Sequence, residues 1–498
     1  MTTSIDAARS NGIRSPAQAK HIHLIGICGT AMASLAGMLQ LRGHHVTGSD
    51  AASYPPMSDL LQRLGIKIME PFSAANLNPQ PDLVIVGNAL SRGNPEIERV
   101  LDQRIPFTSF ARIIHEEFLA GRESLVVAGT HGKTTTTSML AWIYEVASRR
   151  QPQFAPSFLI GGVAENFGTS FHLQSKAAVG GPFILEGDEY DTAFFDKGPK
   201  FMHYFPDALI LTHVEFDHAD IYRDLDAVKT AFKRLVNLVP ARGRIVAYDG
   251  SDNVTECVTR AFCPVERYGF DSASEWRIGD LQQQQGQTTW SIFRNGQATP
   301  WAHVTMPMPG EHNALNATAA AALAAGQGVD VSAIEEALGT FASVKRRLQV
   351  RAVVDGITII DDFAHHPTAI RETFKALRAS YPHSRLWAVL EPRSNTLRRN
   401  IFETELVESL ALADHIALSG VFKQESIPET ERLHPETVVR RLLERGKPTA
   451  LYANADAIVD AIAMELHTGD VVAILSNGSF DGIYEKLPAR LEQLMAPR

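Results

Sequence analysis

The stretch ESLVVAGTHGKTTTTSML, residues 123–140, constrains this chain more than any other. An apolar run rich in valine reads as a buried strand. It ends on two glycines, a lysine and four threonines before a helical period begins with Met139, Ile143 and Val146. Strand, glycine turn and helix form a phosphate cradle. Gly129 and Gly132 let the phosphate approach backbone N–H groups, Lys133 supplies fixed charge, and Thr134 offers a hydroxyl to Mg²⁺ at the helix N-terminus. Val127 stands where the strict pattern has its first glycine, so the match is G-x-x-G-K-T. The loop itself does not say where the phosphate goes, because kinases, motors, switches and ligases all use it.

Two later strands run into acidic ends. PFIL leads to EGDEYD, which offers Glu186 towards the loop and carries Asp188, Glu189 and Asp191 on the next turn. DALILTHV leads to EFDHAD, with His218 read as the end of that strand and able to reach the same cleft. Open α/β sheets bind ligands at the carboxyl ends of parallel strands, and a nucleotide triphosphate brings a divalent cation that prefers oxygen ligands.

The length, 498 residues, suggests about three domains. From His21 the run HIHLIGICGTAMASLAGMLQLRGHHVTGSD is a βαβ unit ending in Asp50, and DLVIVGN adds a strand near residue 82. After VKRRLQV a fresh alternation begins, with VVDGITIIDDFAHHP, RLWAVLEPRSN, DHIALSG and GDVVAILSNG as strands of a third α/β domain. The expected organisation is a tail over 1–20 and domains over 21–122, 123–343 and 344–498. The polar segment 265–308 reads as a small hairpin excursion without chemistry. A net charge of -9 gives no electrostatic footprint for nucleic acid or an anionic membrane. No apolar run reaches the roughly 18 residues of a membrane span, and the first twenty residues lack an apolar signal core. Three cysteines without a CxxC pair fit a reducing cytoplasm and argue against a disulfide framework or zinc site.

GTHGKTTT, EGDEYD, EFDHADIY, GEHNALNATAA and DDFAHHPTAI occur in this order. With them the chain resembles the Mur ligases, ATP-dependent enzymes that build the peptide stem of bacterial cell-wall precursors. The likeness runs from His21 to about Lys486. It implies a Rossmann-like N-terminal domain that binds a UDP-sugar and a central P-loop ATPase domain with a parallel sheet. A C-terminal Rossmann-like domain carries the incoming amine and closes over both. Carried over by position, Gly129, Thr130, His131, Gly132, Lys133, Thr134 and Thr135 hold the ATP phosphates. Thr134, Glu186 and His218 form the magnesium shell, and Lys133, Glu186 and His218 are the catalytic set. Asn313 and Asn316 contact adenine, Arg347 reaches ATP from the third domain, and Asp361 closes on the nucleotide.

Two positions depart from the family pattern: His213 replaces a usual asparagine, and Phe232 aligns where several members have a carbamylated lysine, so no carbamate is expected. In GICGTA, Cys28 replaces the second glycine of the dinucleotide pattern. This weakens an NAD reading and leaves Gly26, Cys28, Gly29, Thr30 and Asp50 as candidates for the UDP-sugar.

Making an amide from a carboxylate in water needs a leaving group, and ATP supplies one as an acyl phosphate. A small-molecule kinase is the first rival, but it leaves the third domain without work. A catalytically idle nucleotide-sugar sensor is the second, opposed by intact Lys133, Glu186 and His218. EPRSNTLR, LSNGSFDGI and Tyr190 resemble the branch that joins the tripeptide L-alanyl-γ-D-glutamyl-meso-diaminopimelate to UDP-N-acetylmuramate. The alternative branch adds L-alanine. Arg393, Ser394 and Asn395, at a strand's carboxyl end, are suited to the tripeptide's carboxylates because guanidinium grips carboxylate bidentately. His365 and His366 stand open between ligand closure and a structural role.

Overall fold

The computed structural model describes residues 18–53, 57–174, 181–284 and 286–495. Most of the expected tail over 1–20 lies outside them. Three large sheets follow one another along the chain, within residues 21–109, 124–306 and 349–475, and a two-stranded ribbon of Asp191–Ala193 with Asp196–Pro199 stands beside the second.

The first sheet has five parallel strands in the order Ile68–Met69, His45–Ser49, His21–Ile25, Leu83–Val86, Phe107–Ser109. His21–Ile25 is central, and the chain moves outward on both sides of it. The crevice at its carboxyl end is therefore a topological switch point. Helix Thr30–Leu41 packs there through Met32, Leu35 and Leu39.

The second sheet has ten strands. Its parallel centre includes Val265–Gly269, Arg244–Tyr248, Ala208–Leu211, Ser124–Ala128 and Phe183–Gly187. Every residue of Ser124–Ala128 and Ala208–Leu211 is buried, as expected for strands covered on both faces. One cover is helix Lys133–Ser148, which buries Met139, Ile143 and Val146. Another is the alanine-rich helix Glu311–Gly326. The expected hairpin is larger than a side excursion: Trp276–Gln284, Gln287–Arg294 and Ala302–Met306 extend the same sheet as antiparallel strands.

The third sheet runs Gln349–Val354, Ile357–Asp362, Val471–Leu475, Leu386–Leu390, His415–Ser419, Thr449–Tyr452. It is parallel except at its first strand. The carboxyl ends of all three sheets feed loops into shared clefts: Gly29 and Phe110 from the first, Lys133 and Glu186 from the second, and His365 and Asn477 from the third. Among the described residues no helix is long and apolar enough to cross a membrane.

Candidate functional site

The phosphate loop is held rigidly from one side. Thr130 N–H donates to the His213 carbonyl at 2.7 Å, the Thr212 hydroxyl donates to the His131 carbonyl at 2.6 Å, and Glu215 N–H donates to the Thr130 hydroxyl at 2.9 Å. These bonds spend the loop's outward polar groups on the segment after Ala208–Leu211. Gly132 sits at φ 79°, and a Cβ there would lie 2.6 Å from Asn316 Oδ1. A side chain is excluded twice, by backbone sterics and by the asparagine.

Lys133, at the start of its helix, donates to the Gly129 carbonyl and to Glu189 Oε2, both at 2.7 Å. The other Glu189 oxygen lies 3.3 Å from His218 Nε2. Burial alone would raise Glu189, but Lys133 and His218 overrule it and hold the carboxyl at about 2. Burial likewise opposes charge on His218, yet Glu189 and Asp217 bring it up to about 9. Glu186 behaves differently. Burial, and then Asp188, push it well above the usual carboxylate range, against bonds from Gly161 N–H at 2.6 Å and the Thr134 hydroxyl at 3.2 Å. A buried carboxyl held near neutrality is short of one positive charge. Glu186 and Thr134 present oxygen donors of the kind a hard divalent cation takes, so this pair fits magnesium. His218 joins the same cleft, but its imidazolium, paired with Glu189 at 3.3 Å, would have to lose a proton before ligating a metal.

Two clefts meet at this loop. One, of about 370 Å³, is lined by Gly132, Thr135, His213, Tyr248, Asn313, Asn316 and Arg347, dimensions and polarity that suit a nucleoside. The other, of about 450 Å³, runs from Gly29 and Thr30 at the first sheet to Lys133, Glu186 and His218. His131 and Arg347 belong to both. A third, of about 380 Å³, opens beside His218 and is lined by Arg393, Ser394 and Asn395 with Phe422 and Lys423. The Arg393 guanidinium lies 3.8 Å from the Phe422 ring centre and 3.3 Å from Glu391.

Some expected residues fall elsewhere. Asp361 does not line these clefts: its carboxylate takes Arg346 at 3.2 Å, while the next residue, Asp362, faces the nucleoside-sized cleft. Successive strand residues point to opposite faces, so choosing between two adjacent aspartates requires the register. Asp50 is likewise committed, accepting from Cys28 N–H at 2.8 Å. Gly26 and Cys28 shape the turn while Gly29 and Thr30 face the cleft. His218 is not a strand end: the strand stops at Leu211, and His218 lies seven residues on with φ 54°. Phe232 is fully buried against Phe201.

The contacts of the loop Glu215–Asp220, which meets the third domain, have no counterpart among the sequence expectations. Thr368 donates to Glu215 at 2.7 Å, His366 Nε2 donates to the Phe216 carbonyl at 3.2 Å, and Asn395 donates to Asp220 at 2.8 Å. His366 Nδ1 also accepts from Thr368 N–H, capping helix Pro367–Ser380. The signal was present as hydroxyls and histidines after DDFAHHP, but nothing local names their partners.

A rigid phosphate loop, a metal-suited carboxylate and clefts walled by three α/β domains define a nucleotide-using enzyme that brings two further substrates together. The Mur ligase family catalytic domain matches residues 21–120, the Mur ligase middle domain residues 127–324, and the Mur ligase glutamate ligase domain residues 346–478. The chain belongs to the Mur ligase family. It is 41% identical, over 94% of its length and 97% of the relative's, to UDP-N-acetylmuramate–L-alanyl-γ-D-glutamyl-meso-2,6-diaminoheptandioate ligase of Escherichia coli K12. UDP-N-acetylmuramate–L-alanine ligase of Burkholderia cenocepacia J2315 is 33% identical, over 95% and 98%. The crystal structure of a murein peptide ligase from Psychrobacter arcticus superposes with a TM-score of 0.72 at 37% identity, covering 96% of this chain and all of that one.

Proposed function

We propose that this enzyme joins the amino group of L-alanyl-γ-D-glutamyl-meso-diaminopimelate to the carboxylate of UDP-N-acetylmuramate, converting ATP to ADP and phosphate. The observation that carries the tripeptide over free L-alanine is the 41% identity to the tripeptide ligase, against 33% to the alanine ligase, at nearly equal coverage. The cleft at Arg393, Ser394 and Asn395 supports it, since a cation with amide and hydroxyl donors matches a ligand with several carboxylates.

In this reading the nucleoside lies by Asn313 and Asn316, and the diphosphate of the sugar lies by Gly29 and Thr30 at a helix N-terminus. Lys133 keeps its proton: burial pulls its pKa down, but Glu189 and Asp188 more than offset this. Phosphoryl oxygens gaining charge therefore meet a full cation. Magnesium held by Thr134, Glu186 and His218 would supply charge neutralisation at the phosphates. A carboxylate oxygen of the sugar attacks the γ-phosphorus, ADP leaves, and the tripeptide amine displaces phosphate from the acyl phosphate. Water would destroy that intermediate, and the contacts from Glu215, Phe216 and Asp220 to the third domain keep the cleft covered. With ATP and a nucleotide sugar as its substrates, the reading is of a cytoplasmic enzyme of peptidoglycan recycling.

An amine panel scored for phosphate release tests this reading. Release should depend on both UDP-N-acetylmuramate and the tripeptide. Equal efficiency with free L-alanine would assign the enzyme to the alanine branch instead.

A further inference from the structure

Lys200 lines the central cleft, yet the phosphate chemistry gives it no task. Its side chain is 4% exposed, and its ammonium lies 3.5 Å from Asp188 Oδ2, the outer limit of a hydrogen bond. Glu186 and Glu189 act on it only through space, and the groups that touch it are otherwise aromatic: the ring centre of Tyr190 is 4.2 Å away, and that of Phe110, from the first domain, 5.2 Å. An ammonium has three N–H donors, and ring faces offset only part of its lost hydration. Burying one beside a single long contact is costly unless another anion uses it.

The position of this cation tells which anion. Gly29 and Thr30 line one end of the cleft, where the reading above puts the sugar's diphosphate, and Glu186 and Lys133 line the other, where it puts the transferred phosphate. A carboxylate bound to that sugar must pass the acidic wall of Asp188 and Glu189, whose charges repel it. Lys133 is engaged by Glu189. Lys200 stands on the first-domain side, beside Phe110.

We infer that Lys200 takes the lactyl carboxylate of the nucleotide-sugar donor and holds it for attack on the γ-phosphoryl group. This rests on the donor assignment above. Charge pairing between ammonium and carboxylate overcomes the acidic wall and fixes which oxygen faces phosphorus.

The test uses the donor and its analogue UDP-N-acetylglucosamine, which lacks the lactyl carboxylate, with dissociation constants measured by calorimetry on the full-length enzyme. Wild type should prefer UDP-N-acetylmuramate by about tenfold or more. Lys200→Met keeps the length that packs between the rings and loses the charge, so it should bind both sugars alike, with ATP affinity within about twofold of wild type. Lys200→Arg should retain the preference, and it carries the test if Met is not tolerated. A preference that survives in Lys200→Met, or one lost in Lys200→Arg, overturns the inference, because a purely structural lysine would not distinguish the sugars. A wild-type enzyme that binds neither sugar would sink the donor assignment itself.

Discussion

At the phosphate end of the cleft the buried Glu189 joins two half-buried cations, Lys133 at 2.7 Å and His218 at 3.3 Å, whereas at the end proposed for the peptide Arg393 keeps a single 3.3 Å contact with Glu391 and rests on the ring of Phe422. The phosphate end meets charge that exists only during transfer, so its groups must be fixed beforehand. On the proposed reading the other end receives the peptide from water and must let the product go, which a cation with one 3.3 Å carboxylate partner allows. Changes at the first should therefore act on turnover, and changes at the second on substrate KM.

The largest break in this contrast is Lys133→Ala. It should leave the fold intact and lower kcat by about 10³-fold, read as amine-dependent phosphate release. Turnover within about tenfold of wild type would remove Lys133 from the transfer step. Next comes Glu186→Ala, which takes away a carboxyl already held well above its usual range by burial and Asp188. The half-saturating magnesium concentration should rise by about tenfold or more, and His218→Ala should act in the same direction. Unchanged magnesium titrations in both would put the metal elsewhere.

The same two ends differ in how much of them could be read from the sequence. Lys133, Thr134 and Glu186 lie within short runs whose spacing follows from a strand, a turn and a helix, and the structure brings them together. Lys133 and Glu186 lie 53 positions apart, yet parallel pairing of Ser124–Ala128 with Phe183–Gly187 puts them side by side. Asp361 pairs with Arg346 while Asp362 lines the nucleoside-sized cleft, and two adjacent acids on one strand carry no mark in the sequence of which face is which. Glu189 was seen as one acid among several, though it is the carboxylate that joins Lys133 to His218. Lys200 carries no signal in the sequence, because its meaning depends on Phe110, ninety residues earlier. The joint at Glu215–Asp220 was hidden for the same reason, being built by side chains about 150 to 180 positions apart.

Arg393→Ala sharpens the contrast from the peptide side. Tripeptide KM should rise by about 30-fold, equivalent to about 2 kcal/mol for one lost charged hydrogen-bonded pair, while the KM for ATP stays within about twofold. An equal rise in both would mean that the arginine acts on domain closure and not on the peptide.

The effect that leaves turnover least disturbed is read on stability and concerns two histidines with opposite signs. His366 is buried at the joint, and its pKa is pulled down to about 3 by burial and then by His131, against Asp217 and Glu215. Unfolded, it takes up a proton near pH 6.5, so stability falls as pH drops below 6.5 and stops falling near 3. Glu215, held down to about 2 despite burial by His131 and Thr368, adds a loss of the same sign below about pH 4.5. His218 is raised to about 9, so in the metal-free enzyme its contribution is complete below pH 6.5 and is lost as pH rises through 9. Each limb has a limiting slope of about 1.4 kcal/mol per pH unit for one proton. Denaturant midpoints measured from pH 5 to pH 9 should therefore peak near 6.5. His366→Gln should flatten the acid limb and leave the alkaline one, and His218→Gln should do the reverse. If one substitution flattened both limbs, the joint and the phosphate end would be a single electrostatic unit, and the division between a fixed end and a loosely paired end would have to be abandoned.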